Sequence, residues 1–485
     1  MRLRRRAALL GALLGAGCAA GPDYHRPAVD LPVSWTVEAP FRVGAPSDAL
    51  TKGPWWQRFG DSTLDALEDR ALTASPTLAA ANARLAQARS QVAAAESALI
   101  PSLGFVGRAA RFKISRDRPL TNYQSPNFST VQDDFVAQMT VNYEVDLAGR
   151  VRRTIEGARA SAQQSSADFE NTRLLLTAEL ATDYYALREL DIELDVVSRA
   201  IALQRRSLEL ATARHDLGAT SGLDVASQQA LLDSTLTQLD VLHRQRSQFE
   251  HAIATLTGTP APSFALPADI RALTPPTVPI GVPSDVLERR PDVASAERAM
   301  AAANAQIGVA AAAFYPSIVI APSYGAESTS LTSLFTASSL LWSLGVSIAQ
   351  PIIDSGRLNA NLDFAKAGYD VAVANYRRAI LTALQEAEDG IVGLAALERA
   401  SDQAGAAIVS AQRVLDLATS RYEGGVATYL DVITAEQGLL NAERLAAQLR
   451  GQRLLTAVFL VKALGGDWPG PSTLAKDAGA AATVR

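Results

Sequence analysis

The fold follows from the stretch Arg214-His215-Asp216-Leu217-Gly218-Ala219-Thr220-Ser221-Gly222-Leu223-Asp224-Val225, because the chain repeats it. The second copy, 207 residues later, is Arg421-Tyr422-Glu423-Gly424-Gly425-Val426-Ala427-Thr428-Tyr429-Leu430-Asp431-Val432. The same offset relates Gly149-Arg150 to Gly356-Arg357, and an offset of 215 relates Pro101-Ser102 to Pro316-Ser317. Solenoid repeats are much shorter, roughly 20–50 residues. We therefore expect a duplicated unit of helix, β-hairpin and long helix pair.

Composition narrows the class of protein. The chain has 485 residues, 45 basic against 50 acidic side chains and a net charge of −5. A chain of this length can form two to four domains. No basic patch is dense enough for nucleic acid, so we expect no nucleic-acid partner. The single cysteine, Cys18, cannot form an intrachain disulfide.

Residues 1–17 have the pattern of a lipoprotein signal peptide. Arginines at the start precede an apolar stretch, Ala7 to Leu14, that is too short to span a bilayer as a permanent helix. The stretch ends in Leu14-Gly15-Ala16-Gly17-Cys18, which matches the lipobox of bacterial lipoproteins. Cys18 is therefore the expected lipid attachment site, and its acyl chains would anchor the protein firmly to a membrane. The alternative is a chance cysteine behind an ordinary signal peptide.

Proline distribution predicts where long helices lie. Proline is absent from Asn127 to Thr259 and from Ile352 to Trp468, and helix interiors exclude proline. Leucines in the first tract recur at spacings of three, four and seven, which is typical of a coiled-coil-like seam. The expected segments are a signal peptide (1–17), an extended lipidated segment (18–60), a first repeat (61–258, hairpin about 102–146), an equatorial linker (259–290), a second repeat (291–465, hairpin about 317–352) and a tail (466–485).

Residues Phe135 to Asp146 are the clearest strand. Apolar and polar side chains alternate there, as in a transmembrane β-barrel strand around an aqueous lumen. Leu341 to Ile352 alternates similarly, while Leu103 to Lys113 and Ser317 to Glu327 do so more weakly. A half-buried hairpin of a soluble protein is the alternative. Two equivalent hairpins in a chain with a lipoprotein signal favour the interpretation as transmembrane strands. Four strands cannot close a barrel, so other subunits must complete it.

Several motifs resemble those of the TolC/OprM-type outer-membrane efflux proteins, in their lipoprotein (NodT-like) branch. They are, in order, Gly21-Pro22-Asp23-Tyr24-His25-Arg26-Pro27, Trp55-Trp56-Gln57-Arg58-Phe59-Gly60-Asp61, Leu287-Glu288-Arg289-Arg290-Pro291-Asp292-Val293, and Arg421-Tyr422 with Gly425 and Leu430-Asp431-Val432. The resemblance implies a mainly α-helical protein with a transmembrane β-barrel portion. It also implies a homotrimer with a shared 12-stranded barrel and an α-barrel tunnel in the periplasm.

The resemblance further implies an exit duct in the outer membrane that conducts small molecules passively. Its partners would be a periplasmic membrane-fusion adaptor, an inner-membrane pump and outer-membrane lipid. The lipobox and the Glu288-Arg289-Arg290 run resemble those of channels that work with proton-driven RND pumps more than those of channels in type I secretion systems. From the residues alone, that charge run before Pro291-Asp292 is also compatible with a surface patch beside a helix start.

The two glycine-bearing loops are expected to form the periplasmic tip. Gly218, Gly222, Gly424 and Gly425 lie between long helices, where glycine commonly ends a helix by adopting positive φ. The resemblance adds that adaptor docking takes place at these loops.

Three residues near the loops are candidates for a periplasmic aperture. By resemblance, Tyr422 bonds across to Asp224 of the other hairpin, and Asp431 belongs to an acidic ring that would attract cations. An acid near a helix N-terminus is also favourable for the macrodipole alone, so a purely structural role stays open. Thr434 stands where the family often has a second acid, and Ala427 where some members have an arginine, so this gate is weaker or differently braced.

No catalytic or metal-binding constellation is present in the sequence. The four histidines have no metal-ligand spacing, and no glycine-rich phosphate loop follows a strand. We therefore expect neither an enzyme nor a cofactor. The main alternative to a duct is a lipid-anchored coiled-coil scaffold, which the alternation in Phe135 to Asp146 disfavours.

Overall fold

The computed structural model describes residues 19–27, 54–113, 131–271, 274–276 and 290–466. Its helices are α1 (Ser62–Ala74), α2 (Pro76–Glu96), α3 (Arg150–Asp216), α4 (Gly222–Leu256), α5 (Pro291–Ala312), α6 (Arg357–Glu423) and α7 (Tyr429–Ala463). Its strands are β1 (Ser102–Lys113), β2 (Val131–Val145), β3 (Ser317–Ile320), β4 (Ser323–Ser328), β5 (Leu340–Ser343) and β6 (Val346–Ala349). The expected signal peptide, Cys18, Glu288, Arg289 and the expected tail beyond residue 466 lie outside this description.

The long helices confirm the expected duplication. Both α3 and α6 have 67 residues, and both α4 and α7 have 35. All four lie in the proline-free tracts. The apolar seam of α3 is buried, with side chains 0–9% exposed at Leu180, Leu187, Leu190, Leu194, Val197 and Ile201. The boundaries of the six expected segments remain a prediction.

A capped helix precedes the hairpin of the first repeat. The Asp61 carboxylate accepts hydrogen bonds from the backbone N–H groups of Thr63 (2.9 Å) and Leu64 (3.4 Å), and so caps α1. The same side chain accepts a hydrogen bond from the Tyr184 hydroxyl at 2.7 Å. The helix ends at Ala74, and Pro76 begins α2.

The strands form one antiparallel sheet. β1 pairs with β2 along its whole length, from Ser102 opposite Asn142 to Lys113 opposite Val131. On its other side β2 pairs first with β4 and then with β3, which in turn pair with β5 and β6. The sheet therefore has the width of four strands.

The second hairpin is interrupted, which the alternation did not predict. The expected strands 317–327 and 341–352 are each broken in two, at Ala321-Pro322 and at Leu344-Gly345. Pro322 has no N–H for the ladder, although its carbonyl accepts a hydrogen bond from Val141 N at 2.9 Å. The last strand also ends at Ala349 rather than Ile352, two residues before Pro351, which likewise lacks an N–H donor.

The two faces of the sheet differ in polarity. Phe105, Met139, Tyr324 and Trp342 lie in register across β1, β2, β4 and β5. Their side chains are 69%, 54%, 61% and 71% exposed. The adjacent register row points to the opposite face and contains the small or polar residues Gly104, Thr140, Ser323 and Ser343. An apolar face exposed over four strands is the pattern of a surface that meets another apolar medium or partner.

The chain divides into two compact units. The sheet unit takes residues up to 27 together with 85–165 and 296–376, and the helix unit takes the remaining described residues. In the sheet unit, the segment 19–27 is fastened by Arg153. Its guanidinium donates hydrogen bonds to the carbonyls of Ala20 (3.2 Å) and Gly21 (3.3 Å) and to Asp23 (2.9 Å).

In the helix unit, Arg290 corrects an expectation. A surface patch is wrong for this residue, because it is only 4% exposed. Its guanidinium donates hydrogen bonds to Asp292 (2.6 Å), to Glu386 (2.7 Å) and to the carbonyl of Ala463 (3.1 Å). Arg290 therefore joins the start of α5, the middle of α6 and the end of α7, and α5 does begin at Pro291 as expected.

Among the described helices, none combines the length and the apolar character that a membrane crossing requires.

Candidate functional site

The two hairpin tips of the helix unit share one backbone geometry. Gly218 and Gly425 have φ angles of 74° and 71°, in the left-handed region that favours glycine. After each, the next N–H bonds back to a carbonyl five residues earlier: Ala219 N to Arg214 O (2.8 Å) and Val426 N to Arg421 O (3.0 Å). These are Schellman motifs, which satisfy the free carbonyls at a helix end. The sequence repeat is therefore also a geometric repeat.

Both candidate aspartates cap the helix that follows the tip. Asp224 accepts a hydrogen bond from Ser221 N at 3.4 Å, and Asp431 accepts one from Thr428 N at 2.9 Å. Each is the third residue of its helix and completes a capping box with the residue before the helix. The structural role that the sequence left open is thus present at both positions.

The two hairpins meet through Thr220. Its hydroxyl donates a hydrogen bond to the Asp224 carboxylate at 2.5 Å and lies 3.5 Å from the hydroxyl of Tyr422. The structure thus brings Tyr422 and Asp224 to one shared hydroxyl group. Asp431 belongs to the other hairpin, where it also accepts a hydrogen bond from the Thr428 hydroxyl at 2.9 Å.

Aromatic and cationic contacts hold Tyr422 in place. Its ring lies 5.0 Å from the ring of Tyr429, and the Arg214 guanidinium lies 4.9 Å above it. A cation over an aromatic face stabilises the pair electrostatically. Tyr429 is 4% exposed, and burial raises the pKa of its hydroxyl, so it stays protonated. Tyr422 therefore has contacts to both hairpins.

Beyond the tip, a carboxylate is buried among polar side chains. Glu436 on α7 is 4% exposed and accepts a hydrogen bond from the Ser207 hydroxyl at 2.6 Å. A second, longer bond comes from the Gln228 amide at 3.4 Å. Burial raises the pKa of Glu436, while these two hydrogen bonds oppose the rise.

An open groove adjoins the second tip. It has a volume of about 630 Å³ and is lined by residues that include Leu417, Arg421, Val426 and Asp431. Val426 and Leu430 at this tip, and Leu217 and Leu223 at the first tip, are exposed apolar side chains, 65–83% accessible. Exposed apolar residues beside charged side chains are typical of surfaces that bind another protein.

The sequence analysis did not identify the residues that connect the candidate aperture residues. Thr220 carries no motif signal, and the contact of Arg214 with Tyr422 depends on tertiary structure. Glu436 did carry a signal, because a carboxylate seven residues after Tyr429 lies on the apolar side of α7. Of the four glycines, Gly218 and Gly425 have the helix-ending role, whereas Gly222 begins α4.

Within the described residues there is no group of three or more histidine, cysteine, aspartate or glutamate side chains placed to hold a metal ion. The site offers charge, hydrogen bonds and apolar surface.

The class of protein follows from comparison with known families. Residues 67–259 and 282–466 match the model of the family described as outer membrane efflux protein. The chain belongs to this family. It is accordingly a transport protein and not an enzyme.

Individual relatives agree along nearly the whole length. The chain is 33% identical to the pyoverdine export outer membrane protein OpmQ of Pseudomonas aeruginosa, over 94% of this chain and 95% of that protein. It is 30% identical to the probable efflux pump outer membrane protein TtgC of Pseudomonas putida, over 94% of each. The solved structure of the outer-membrane channel OprN matches with a TM-score of 0.84 and 27% identity, covering 93% of this chain and 99% of that one.

Proposed function

We propose that the protein is the outer-membrane exit duct of a tripartite efflux system, conducting small molecules passively from the periplasm to the exterior. The observation that carries this function is family membership over both repeats, together with relatives named as outer-membrane efflux and export proteins. A duct needs no catalytic group, only a passage and a gate.

The passage would be completed by a homotrimer. Within the described residues, β1 pairs only with β2, while β5 and β6 pair only with β4 and β3, so both sides of the sheet are open. Open edges in lipid cost several kcal/mol for each unsatisfied backbone group. Three sheets of four strands closing edge to edge would form a 12-stranded barrel. The exposed row from Phe105 to Trp342 would then face lipid.

The N-terminus would be anchored through Cys18. The segment that follows it lies against the start of α3, where Ala20 N donates a hydrogen bond to the carbonyl of Ala148 at 2.9 Å. This contact lies three residues beyond the end of β2, so acyl chains on Cys18 would be close to the sheet that is proposed to be in the membrane. Mass spectrometry of the mature N-terminus tests the modification.

The gate would lie at the tips. Asp224, Tyr422 and Asp431 would form the periplasmic aperture, with three copies of Asp431 favouring cations near the axis. The tips with Gly218, Gly222, Gly424 and Gly425 would bind a periplasmic adaptor, which links the duct to an inner-membrane pump. The exposed leucines and valine of the tips suit such a contact. A proton-driven RND pump is the preferred partner over a type I secretion system.

Planar-bilayer conductance of the purified protein tests this function. Wild type should show a small, cation-selective conductance, and Asp431→Ala should raise the conductance or lower the selectivity. Asp416→Ala, an exposed carboxylate on α6, is the control and should behave as wild type. Well-folded protein that sediments as a monomer and forms no channel would exclude the duct and leave a lipid-anchored scaffold.

A further inference from the structure

A buried polar layer interrupts the apolar core of the helix unit just beyond the tips. An apolar cluster with Val197, Ile201 and Leu232 lies on the side away from the tips, and Ala211 and Val432 of a second cluster lie on the tip side. The layer between them consists of Gln204 (1% exposed), Gln228 (0%), Glu436 (4%) and the half-buried Ser207.

One carboxylate joins three helices in this layer. Glu436 on α7 accepts hydrogen bonds from Ser207 on α3 at 2.6 Å and from Gln228 on α4 at 3.4 Å. The Gln228 amide also donates to the carbonyl of Gln204 on α3 at 3.1 Å. Because α3 and α4 belong to the first repeat and α7 to the second, Glu436 links the two hairpins.

The layer connects directly to the tip. Ser207 donates to Glu436 through its hydroxyl, and its carbonyl accepts a hydrogen bond from the Tyr429 hydroxyl at 3.3 Å. Tyr429 in turn packs against Tyr422 at 5.0 Å. The hydroxyl of Tyr422 lies 3.5 Å from Thr220, which donates to Asp224. An unbroken series of contacts therefore runs from Glu436 to the candidate aperture.

Burying a carboxylate costs free energy. Glu436 lines two cavities, of about 460 and 130 Å³, whose other charged residues are Asp416, Glu423, Arg199 and Glu443. Among these described residues, Glu436 has no ion-pair partner. A leucine at position 436 would pack with less desolvation cost. Buried polar groups retained at such a cost can fix the register of packed helices, as a buried asparagine does in coiled coils.

The layer also has unused hydrogen-bonding groups. Within the described part of the chain, both side-chain polar atoms of Gln204 and the Oε1 atom of Gln228 lack a partner. They provide alternative partners if α7 shifts along α3. A layer with two possible sets of hydrogen bonds can support two discrete packings of the helices.

We propose that Glu436 is a positioning residue of the periplasmic gate: it fixes the register of α7 against α3 and α4, and through Ser207 and Tyr429 holds Tyr422 beside Thr220 and Asp224. This inference rests on the proposed function of the tips as the aperture. It assigns the control of that aperture to a buried group that lies outside it.

The test compares Glu436→Leu, Glu436→Gln and the control Glu443→Leu in planar bilayers. Glu443 is half-buried and lies seven residues further along α7, so the control makes the same chemical change on the same helix face. Glu436→Leu leaves Ser207 and Gln228 without an acceptor and should raise the mean conductance several-fold. Glu436→Gln should keep the wild-type conductance. Ser207 can donate a hydrogen bond to the amide oxygen of the new side chain, and the free Gln228 Oε1 atom can accept one from the NH₂ group of that side chain. Glu443→Leu should change nothing.

Amide hydrogen exchange of residues 217–224 and 424–431 supplies a readout that needs no conducting channel. Exchange in both segments should be faster in Glu436→Leu than in Glu443→Leu. If Glu436→Leu lowers the melting temperature but leaves conductance and tip exchange at wild-type values, its role is only structural and the proposal is wrong. Should that variant fail to assemble, Ser207→Ala removes one hydrogen bond and must show the same changes. Absence of any wild-type channel would exclude the duct, whereas unchanged tip exchange would exclude the positioning role.

Discussion

Asp224 and Asp431 stand 207 residues apart and perform the same local task, each completing the capping box of the helix after a tip. The charge of each aspartate can be separated from its capping. Replacement by alanine removes both, and a lost cap costs about 1 kcal/mol. Replacement by asparagine keeps a side-chain acceptor and removes the charge.

The first prediction concerns Asp431. Asp431→Asn should retain most of the thermal stability of wild type but lose cation selectivity, whereas Asp431→Ala should lose both. Reversal potentials in asymmetric salt and the unfolding temperature measure the two effects. Retained selectivity in Asp431→Asn would mean that the residue is only a helix cap.

The second prediction concerns Arg290, whose buried guanidinium bonds Asp292, Glu386 and a helix-end carbonyl. Arg290→Leu should lower the free energy of unfolding by roughly 1–3 kcal/mol, because the half-buried carboxylates of Asp292 and Glu386 and the carbonyl of Ala463 lose a hydrogen-bond donor. Arg159→Ala, which breaks an exposed ion pair with Glu96, is the control and should cost only about 0–1 kcal/mol. Equal effects in denaturant unfolding would contradict the anchoring role of Arg290.

The third prediction concerns the exposed apolar row of the sheet. Trp342→Lys should impair insertion into the outer membrane, since a lysine facing lipid near the bilayer midplane costs about 2–4 kcal/mol. Ser343→Lys, on the next residue and therefore on the opposite face, should insert normally. Comparing the two in outer-membrane fractions tests which face meets lipid, and reversed results would place the lipid on the polar side.

The fourth prediction concerns Glu68, which is fully buried with neither carboxylate oxygen hydrogen-bonded among the described residues. Burial, with smaller contributions from Asp65 and Asp69, raises the pKa of Glu68 from 4.5 to about 9. The folded protein therefore holds a proton that the unfolded chain releases. The stability associated with this group is fully present below about pH 4.5 and is lost as the pH rises towards 9, at up to about 1.4 kcal/mol per unit.

Glu68→Gln should accordingly flatten the dependence of melting temperature on pH between 5 and 9. Glu96→Gln, at an exposed carboxylate on α2, should keep the wild-type profile. A wild-type slope in Glu68→Gln would show that other groups determine the pH dependence.

Local signals predicted the helices closely, and tertiary contacts account for what was missed. The two proline-free tracts predicted where α3, α4, α6 and α7 lie, because helix interiors exclude proline. The break at Pro322 was missed since alternation of side chains continues through it. Burial of Arg290 could not be predicted either, because Glu386 and Ala463 are far away in the sequence. Likewise, a shared hydroxyl at Thr220 between Tyr422 and Asp224 depends on how two hairpins pack.

One difference between equivalent positions of the two tips changes the ring contact there. In the second repeat, Tyr422 packs on Tyr429. The equivalent residues of the first repeat are His215 and Gly222, and the His215 ring lies so close to Gly222 that a Cβ atom at position 222 would be 3.5 Å from it. In the proposed trimer, two chemically distinct tips, the proposed docking positions, would therefore alternate around the ring. A ligand that contacts one tip at a time would bind with two affinities, and half of the sites would fill before the rest.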